Sequence, residues 1–169
     1  MRFLFVCLGN ICRSPVVEVV ARVRFARAGL DIEVDSAGTG GWHAGNAADP
    51  RSCASALARG YDLSAHRARR VAADDFERFD KLLVMDRMNL RDLTRVAPGE
   101  EHDRIAMFLP WAGLADPHDL PDPYYGQERD FDTVVTLAER GVDGLIRRVS
   151  ALIQDGGDHR AAIRGRASQ

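Results

Sequence analysis

Residues 2–15, RFLFVCLGNICRSP, place a short apolar run, a loop and the start of a helical pattern directly after one another. The run Phe3–Val6 has the length and composition of a buried strand. Pro15 favours the first turn of a helix because its missing N–H is not needed there, and Ser14 before it is a good N-cap. The loop Cys7–Arg13 is therefore predicted to end at a helix N-terminus.

Apolar runs and helical patterns alternate along the rest of the chain. Further strands are predicted at Ile32–Val34, Lys81–Met85 and Ile105–Phe108, and helices at Pro15–Ala28, Pro50–Arg59, Met88–Val96 and Phe131–Ile153. This alternation favours an α/β fold with three layers, in which a central four-stranded parallel sheet has helices on both faces. Two segments without periodicity, Gly38–Asp49 and Leu109–Asp130, are predicted to be surface loops.

Length and composition favour one globular domain, which we assign to residues 1–154. The 169 residues are 46% hydrophobic, enough for one core of ordinary size. Residues 155–169 have almost nothing to bury and are predicted to be a weakly packed tail. The formal net charge of -2 lacks the positive surplus that nucleic acid requires, and no stretch approaches the length of a membrane span. We expect a monomer that binds neither nucleic acid nor membranes.

The chain has three cysteines, Cys7, Cys12 and Cys53, and no predicted export signal. An odd number of cysteines makes a disulfide framework improbable, and reduced thiols are typical of the cytoplasm. Four residues separate Cys7 from Cys12, whereas redox and zinc CxxC pairs have two between them, and no His lies at ligand spacing. No metal or other cofactor is predicted. Cys53, inside a helical pattern, is interpreted as a small buried hydrophobic residue.

The loop Cys7–Arg13 has the residue types of an anion-binding site. Gly9 and Asn10 tolerate left-handed conformations, which turn successive backbone N–H groups inward at the positive end of the helix dipole. The field that attracts phosphate also favours thiolate over thiol, so Cys7 is predicted to be a nucleophile. The planar fork of Arg13 can bind two phosphoryl oxygens at once. The alternative is a buried cysteine followed by a surface arginine with no shared role.

Residues 6–15, VCLGNICRSP, resemble the signature loop of the low-molecular-weight protein tyrosine phosphatases. Other segments similar to the family follow in the family's order over Arg2–Ile153, namely VDSAGT at 34–39, ADPRS at 48–52, AHRAR at 65–69, DDFERFDKLLVMDRMNLRDL at 74–93 and DPYYG at 122–126. The resemblance implies the family's three-layer fold. It also implies a metal-independent phosphatase that acts on tyrosine-phosphorylated proteins and small aryl phosphates.

By this resemblance three residues carry the chemistry. Cys7 would attack phosphorus in line and form a phosphocysteine, while Arg13 and the loop N–H groups stabilise the charge on the equatorial oxygens. A tyrosine leaving group needs a proton, which the Asp of the family's DPYY motif supplies, here Asp122. As a carboxylate, Asp122 would then activate the water that hydrolyses phosphocysteine. A solvated loop carboxylate is the alternative interpretation of Asp122.

Supporting roles carry over from the family residue by residue. Ser14 is expected to donate a hydrogen bond to the sulfur of Cys7, and Asn10, Ser36 and His66 to brace the loop, although each could be an ordinary turn or cap residue. Contacts to phosphate or to the substrate ring are expected from Leu8, Gly9, Asn10, Ile11, Cys12, Ser14, Trp42, Tyr124 and Tyr125. The aromatic residues could instead be loop packing. Cys12 could trap an oxidised Cys7 as a disulfide, or be a small side chain buried under the loop.

Three other functions use a similar loop. Arsenate reductases on this fold need two further cysteines near Asp80–Leu93, and that segment has none. Protein arginine phosphatases carry Thr where Ile11 stands. A non-catalytic module that binds phosphoproteins would have lost the nucleophile or the acid, whereas Cys7 and Asp122 are both present. A phosphotyrosine phosphatase is the preferred hypothesis, and its physiological substrate is left open.

Overall fold

Four parallel strands form a sheet at the centre of residues 1–154, which are the residues that the computed structural model describes. They are β1 (Arg2–Cys7), β2 (Glu33–Gly38), β3 (Lys81–Val84) and β4 (Ile105–Met107). Their order is β2-β1-β3-β4, so β1 pairs with β2 on one side and with β3 on the other. The predicted four-stranded parallel sheet is confirmed, and the predicted tail at 155–169 lies outside the described residues.

The described helices are α1 (Arg13–Arg27), α2 (Pro50–Leu57), α3 (Ala73–Arg78), α4 (Arg87–Val96), α5 (Phe108–Trp111) and α6 (Glu128–Gln154), with a 3-10 helix at Gly99–Arg104. The N-cap prediction for Ser14 is wrong. Helix α1 begins at Arg13, and Cys12 occupies the N-cap position without a capping hydrogen bond from its side chain. Ser14 lies in the first turn, where its hydroxyl bonds with Cys7 and Asn10 instead.

Alternate residues of β1 face two separate cores. Phe3, Phe5 and Cys7 pack with α1 and α6, whereas Leu4 and Val6 pack with α3 and α4. A strand buried on both faces is a continuous apolar run in sequence, which is why β1 could be predicted. Burying each large side chain contributes about 1.5–3 kcal/mol, so β1 is strongly anchored. The predicted helices on both faces of the sheet are confirmed.

Several short elements differ from the predictions. Strand β2 continues beyond the predicted Val34 through Ser36, Ala37 and Gly38, which are too small or polar to give an apolar signal. Helix α3 and the 3-10 helix were not predicted, because each buries few apolar side chains. The predicted loop Leu109–Asp130 includes most of α5 and the first turn of α6.

The carboxyl ends of the four strands lie at one edge of the sheet because the strands are parallel. Three loops therefore meet where Cys7, Gly38 and Val84 end β1, β2 and β3. In open parallel sheets, ligands bind at this edge. Within residues 1–154 no helix is both long enough and apolar enough to cross a membrane.

Candidate active site

The loop Leu8–Cys12 runs from the end of β1 into the first turn of α1. Asn10 is the one non-glycine residue in the described part of the chain with a positive φ, at 55°. Its backbone N–H donates to Cys7 Sγ at 3.2 Å, and Ser14 Oγ lies 3.1 Å from the same sulfur. A sulfur next to these donors and the helix N-terminus is well placed to carry negative charge.

Asn10 is fully buried and uses every polar group that it has. Its Nδ2 donates to Ser14 Oγ and to Ser36 Oγ, both at 2.9 Å. Its Oδ1 accepts from the backbone N–H of Arg69 at 2.9 Å, and its carbonyl oxygen accepts from His66 Nε2 at 2.8 Å. The structure thus brings Ser36 and His66 against the loop, at the positions that bracing requires.

Glu18 and Arg69 lie behind the loop, and neither was predicted to be a site residue. Ser36 Oγ donates to Glu18 Oε2 at 2.6 Å, and Glu18 is buried on the inner face of α1. The sequence feature that could have identified Glu18 is an acidic residue among the valines of that face. The guanidinium of Arg69 bonds Asp35 and Asp75, which fixes the segment whose N–H meets Asn10.

Arg13 closes the loop with its side chain only 3% exposed. Nη1 donates to Asp86 Oδ2 at 2.5 Å and to the carbonyl oxygen of Leu120 at 3.3 Å, while Nη2 donates to Asp122 Oδ2 at 2.8 Å. Burial alone lowers the pKa of Arg13, but the negative charges of Cys7, Asp122 and Asp86 outweigh it and raise the pKa above its ordinary value. Arg13 is therefore a permanent cation beside the sulfur.

Asp86 is a further residue that was missed, although a signal existed. It follows the end of β3 directly, at the same sheet edge as Cys7. Residues that follow neighbouring parallel strands meet at that edge. Asp86 also caps α4, because its Oδ1 accepts from the backbone N–H of Asn89 at 2.7 Å.

The loop that carries Asp122 is tied to the sheet. The backbone N–H of Leu120 donates to the carbonyl oxygen of Met85 at 2.8 Å, directly after β3. Asp122 Oδ1 accepts from the N–H of Tyr124 at 3.2 Å, and the side chain of Asp122 is 44% exposed. The carboxyl group thus stands at the mouth of the site, open to a substrate.

These groups border one cavity of about 330 Å³. Its lining includes ten of the predicted site residues, namely Cys7, Leu8, Gly9, Ile11, Cys12, Arg13, Trp42, Asp122, Tyr124 and Tyr125, and one that was missed, His43. The predicted residues Asn10, Ser14, Ser36 and His66 do not line the cavity, and Asn10 is hydrogen-bonded to each of the other three. The cavity has a cationic, donor-rich floor and aromatic walls, so it can hold an oxyanion joined to a flat apolar group.

The other two thiols differ from Cys7 in their surroundings. Burial and the charge of Asp49 raise the pKa of Cys12 from 9.0 to about 12, so Cys12 is a protonated thiol at neutral pH. Burial also raises the pKa of Cys53. Cys53 packs against the core but is only partly buried, so its predicted burial is incomplete, and it does not line the cavity.

Arg51 links the loop to the aromatic wall and was also missed. It bonds both carboxylate oxygens of Asp49, whose backbone N–H donates to the carbonyl oxygen of Ile11 at 2.8 Å. Its guanidinium lies 5.6 Å from the ring centroid of Tyr124 and 4.4 Å from that of Phe131. These are cation–π distances, so Arg51 packs against the wall from behind.

Residues 1–154 hold no group of three or more His, Cys, Asp or Glu side chains that could bind a metal ion. What they do hold is a thiol surrounded by donors at a helix N-terminus and closed by a buried arginine, on a parallel sheet covered on both faces. This combination defines an oxyanion-binding cysteine site on an α/β fold.

Comparison with known proteins identifies the family. The family model described as low molecular weight phosphotyrosine protein phosphatase matches residues 2–155. The low molecular weight protein-tyrosine-phosphatase of Streptomyces coelicolor is 41% identical over 158 residues, which cover 90% of this chain and 96% of that one. A Homo sapiens low molecular weight phosphotyrosine protein phosphatase is 42% identical over 136 residues, 78% of this chain and 84% of that one. The crystal structure of a protein tyrosine phosphatase from Entamoeba histolytica matches with a TM-score of 0.85 at 35% identity, covering 89% of this chain and 97% of that one. The chain belongs to the low molecular weight phosphotyrosine protein phosphatase family.

Proposed function

We propose that the protein is a protein tyrosine phosphatase that hydrolyses phosphotyrosine and small aryl phosphates through a phosphocysteine intermediate on Cys7. The observation that carries the proposal is the meeting of three groups at one cavity of about 330 Å³: the Cys7 thiol, the Arg13 guanidinium and the Asp122 carboxyl. A nucleophile, an anion clamp and a proton donor are the parts that phosphoryl transfer to a thiol needs.

The phosphoryl group binds to the floor of the cavity. Arg13 uses both Nη1 hydrogens on Asp86 and Leu120 and one Nη2 hydrogen on Asp122. Nε–H makes no hydrogen bond among the described residues and Nη2 carries a second hydrogen, so the edge of the planar guanidinium formed by Nε and Nη2 has donors for a ligand. That edge matches two phosphoryl oxygens, and the loop N–H groups serve the third.

In the first step the Cys7 thiolate attacks phosphorus opposite the phenolic oxygen of the substrate. A P–S bond forms as the P–O bond to the ring breaks, and protonated Asp122 donates its proton to the leaving oxygen. The charge on the three equatorial oxygens is stabilised by Arg13 and by N–H groups that are already in place.

In the second step water replaces the sulfur. Asp122, now a carboxylate, takes a proton from the water as its oxygen attacks phosphorus, and the P–S bond breaks to release thiolate. Ser14 Oγ accepts from Asn10 Nδ2 and lies 3.4 Å from the carbonyl oxygen of Ala37 and 3.1 Å from Cys7 Sγ, so its hydroxyl proton turns from that carbonyl to the departing sulfur as negative charge develops there. The pair of steps returns the enzyme to its starting state without a metal, because every participating group belongs to the chain or to water.

The walls favour an aromatic ester over the alternatives. Trp42 and Tyr124 present exposed aromatic surface at the mouth, and Ile11 adds an apolar contact where arginine phosphatases have Thr. The segment 80–93 contains no cysteine, so the relay of thiols that arsenate reduction needs is missing. The relatives are also described as phosphatases of phosphotyrosine.

We place this activity on residues 1–154 acting as a monomer in the cytoplasm, with tyrosine-phosphorylated proteins as substrates. The support for the compartment is that all three cysteines of the chain are free thiols. Reduced thiols persist in reducing compartments. Size-exclusion chromatography with light scattering measures the molar mass in solution and so tests whether the protein is a monomer.

The activity is tested with p-nitrophenyl phosphate and a phosphotyrosine peptide in buffer that contains a chelator. Wild type should hydrolyse both, and mass spectrometry after rapid acid quenching should find phosphate on Cys7. Cys7→Ser should lose turnover and still bind inorganic phosphate, because a serine hydroxyl in the same loop stays protonated at neutral pH.

Cys53→Ala is the matched control, since it removes a thiol that does not line the cavity. It should keep the wild-type rate. Turnover that depends on added metal, or that survives in Cys7→Ser, would contradict the mechanism.

A further inference from the structure

A second groove, of about 420 Å³, adjoins the catalytic cavity. Leu8 and Trp42 line both spaces. The indole of Trp42 packs directly on Gly40, where an added Cβ would lie 2.0 Å from the ring carbon Cζ3. Trp42 is thus the shared wall, and we call the second space the flanking groove, bounded by Trp42, Arg70, Val71, Leu93 and Val96.

The flanking groove has an apolar floor. Leu93 is fully buried beneath it, and Val71 is partly buried against the same cluster. Val96, in the last turn of α4, is 62% exposed beside it. An exposed valine next to an apolar concavity offers contact area to an apolar side chain of a bound molecule.

Arg70 gives the flanking groove an unbalanced positive charge. Its stem runs along Gly41, where an added Cβ would be 3.2 Å from Arg70 Cδ. Its neighbour Arg69 is paired with Asp35 and Asp75, but Arg70 forms no ion pair with a carboxylate of residues 1–154.

The groove's own carboxylate does not cancel this charge. Asp92 is already paired with Arg91, at 3.1 Å, and with Arg95, at 3.9 Å. Asp92 thus already has two arginine partners, and Arg70, which is exposed, is the arginine of the groove available to a ligand.

We propose that the flanking groove binds the polypeptide segment next to the phosphotyrosine of a protein substrate, with an acidic side chain on Arg70 and an apolar one over Leu93 and Val96. This rests on the proposed phosphatase function. A phosphotyrosine side chain fills only the catalytic cavity, and because Leu8 and Trp42 line both spaces, a residue next to the phosphotyrosine can reach the flanking groove by passing Trp42. Successive side chains of an extended segment point in opposite directions, so an acidic and an apolar residue can reach different parts of the groove.

The test compares phosphotyrosine peptides that carry Glu, Gln or Lys at each position on either side of the phosphotyrosine. Wild type should prefer Glu over Gln by about two- to fivefold in kcat/KM at one or more positions, the size expected of one exposed ion pair, and mainly through KM. Arg70→Ala should abolish that preference. Arg70→Glu should reverse it, so that the Lys peptide becomes the better substrate.

The control is Arg27→Ala, which removes an exposed arginine from the last turn of α1 and should keep the wild-type preference. Hydrolysis of p-nitrophenyl phosphate, which cannot reach the flanking groove, should be the same in all variants. Wild type without any charge preference, or Arg70→Glu with the wild-type preference, overturns the groove proposal while p-nitrophenyl phosphate is still hydrolysed. Loss of p-nitrophenyl phosphate hydrolysis in wild type overturns the proposed function instead.

Discussion

Asn10→Ala tests whether the hydrogen bonds behind the loop hold it in place. The substitution removes three side-chain hydrogen bonds, two donated to Ser14 and Ser36 and one accepted from the N–H of Arg69. At about 1 kcal/mol each, they contribute about 3 kcal/mol to the free energy of unfolding. Alanine at φ 55° adds a backbone penalty of about 1 kcal/mol, because it lacks the short polar side chain with which asparagine offsets the crowding of Cβ in the left-handed region.

We therefore expect the free energy of unfolding to fall by about 4 kcal/mol, which lowers Tm by about 8–16 °C for a domain of this size. The assay is guanidinium unfolding followed by circular dichroism and tryptophan fluorescence, with the m-value checked for two-state behaviour. Competitive inhibition by inorganic phosphate, measured in parallel, should weaken, because the N–H groups of a loosened loop no longer converge.

The matched control is Asn46→Ala. Asn46 is an exposed asparagine whose side chain has only a 3.4 Å contact with His43, so its loss should change stability by no more than about 0.5 kcal/mol. A loss of less than about 1 kcal/mol in Asn10→Ala would show that the loop holds its shape without these bonds. Asn10 would then not be the residue that braces the loop.

Three further predictions concern the acid, the second thiol and the packing of the last helix. Asp122→Asn should lower kcat for phosphotyrosine by about 100-fold or more, and by less for phenyl phosphates with acidic leaving groups; an equal penalty across a substituted series would mean that Asp122 is not the donor. Because the pKa of Cys12 is about 12, its alkylation by iodoacetamide at pH 8 should be about 1000-fold slower than that of N-acetylcysteine and should rise about tenfold per pH unit as thiolate forms. Peptide mapping measures that rate, and a value within tenfold of the free thiol would contradict the burial of Cys12. Gly144→Ala should destabilise the fold by about 1–3 kcal/mol, because its Cβ would lie 2.1 Å from the carbonyl oxygen of Ala112. Gly99→Ala, with no atom within 4 Å of its added Cβ, should melt close to wild type, and equal melting of the two variants would show that α6 can shift at no cost.

The elements that could be predicted from sequence are those whose burial leaves a pattern. Strand β1 is buried on both faces and gives an uninterrupted apolar run, while the apolar positions of α6 recur at helical spacing. The second half of β2 gives no such pattern, because Ser36, Ala37 and Gly38 are small or polar. Ser36 accepts a hydrogen bond from Asn10, and an added Cβ on Gly38 would lie 2.8 Å from the carbonyl oxygen of Leu8. The contacts with the loop therefore favour a polar and a small residue at these two positions.

The site residues also fall into two groups, those that are close to the loop in sequence and those that reach it only through the fold. Cys7 and Arg13 could be found because they belong to one loop whose residue types explain each other. Glu18, Asp86 and Arg69 reach that loop only through the packing of α1, the order of the strands and the path of a distant segment. The error at Ser14 has the same origin, since a capping residue and a residue that bonds a sulfur look alike in sequence.

The catalytic loop grows from the strand in the middle of the sheet. Strand β1 is hydrogen-bonded on both sides, and Phe3–Val6 have no exposed surface. Amides in such a strand exchange with solvent only when the whole domain opens, whereas edge strands and loops open locally. The base of the site therefore belongs to the last part of the molecule to unfold. In a partly heat-inactivated sample, exchange of the β1 amides would therefore measure the fraction of chains that had unfolded completely, whereas lost activity would also count molecules in which only the Asp122 loop had opened.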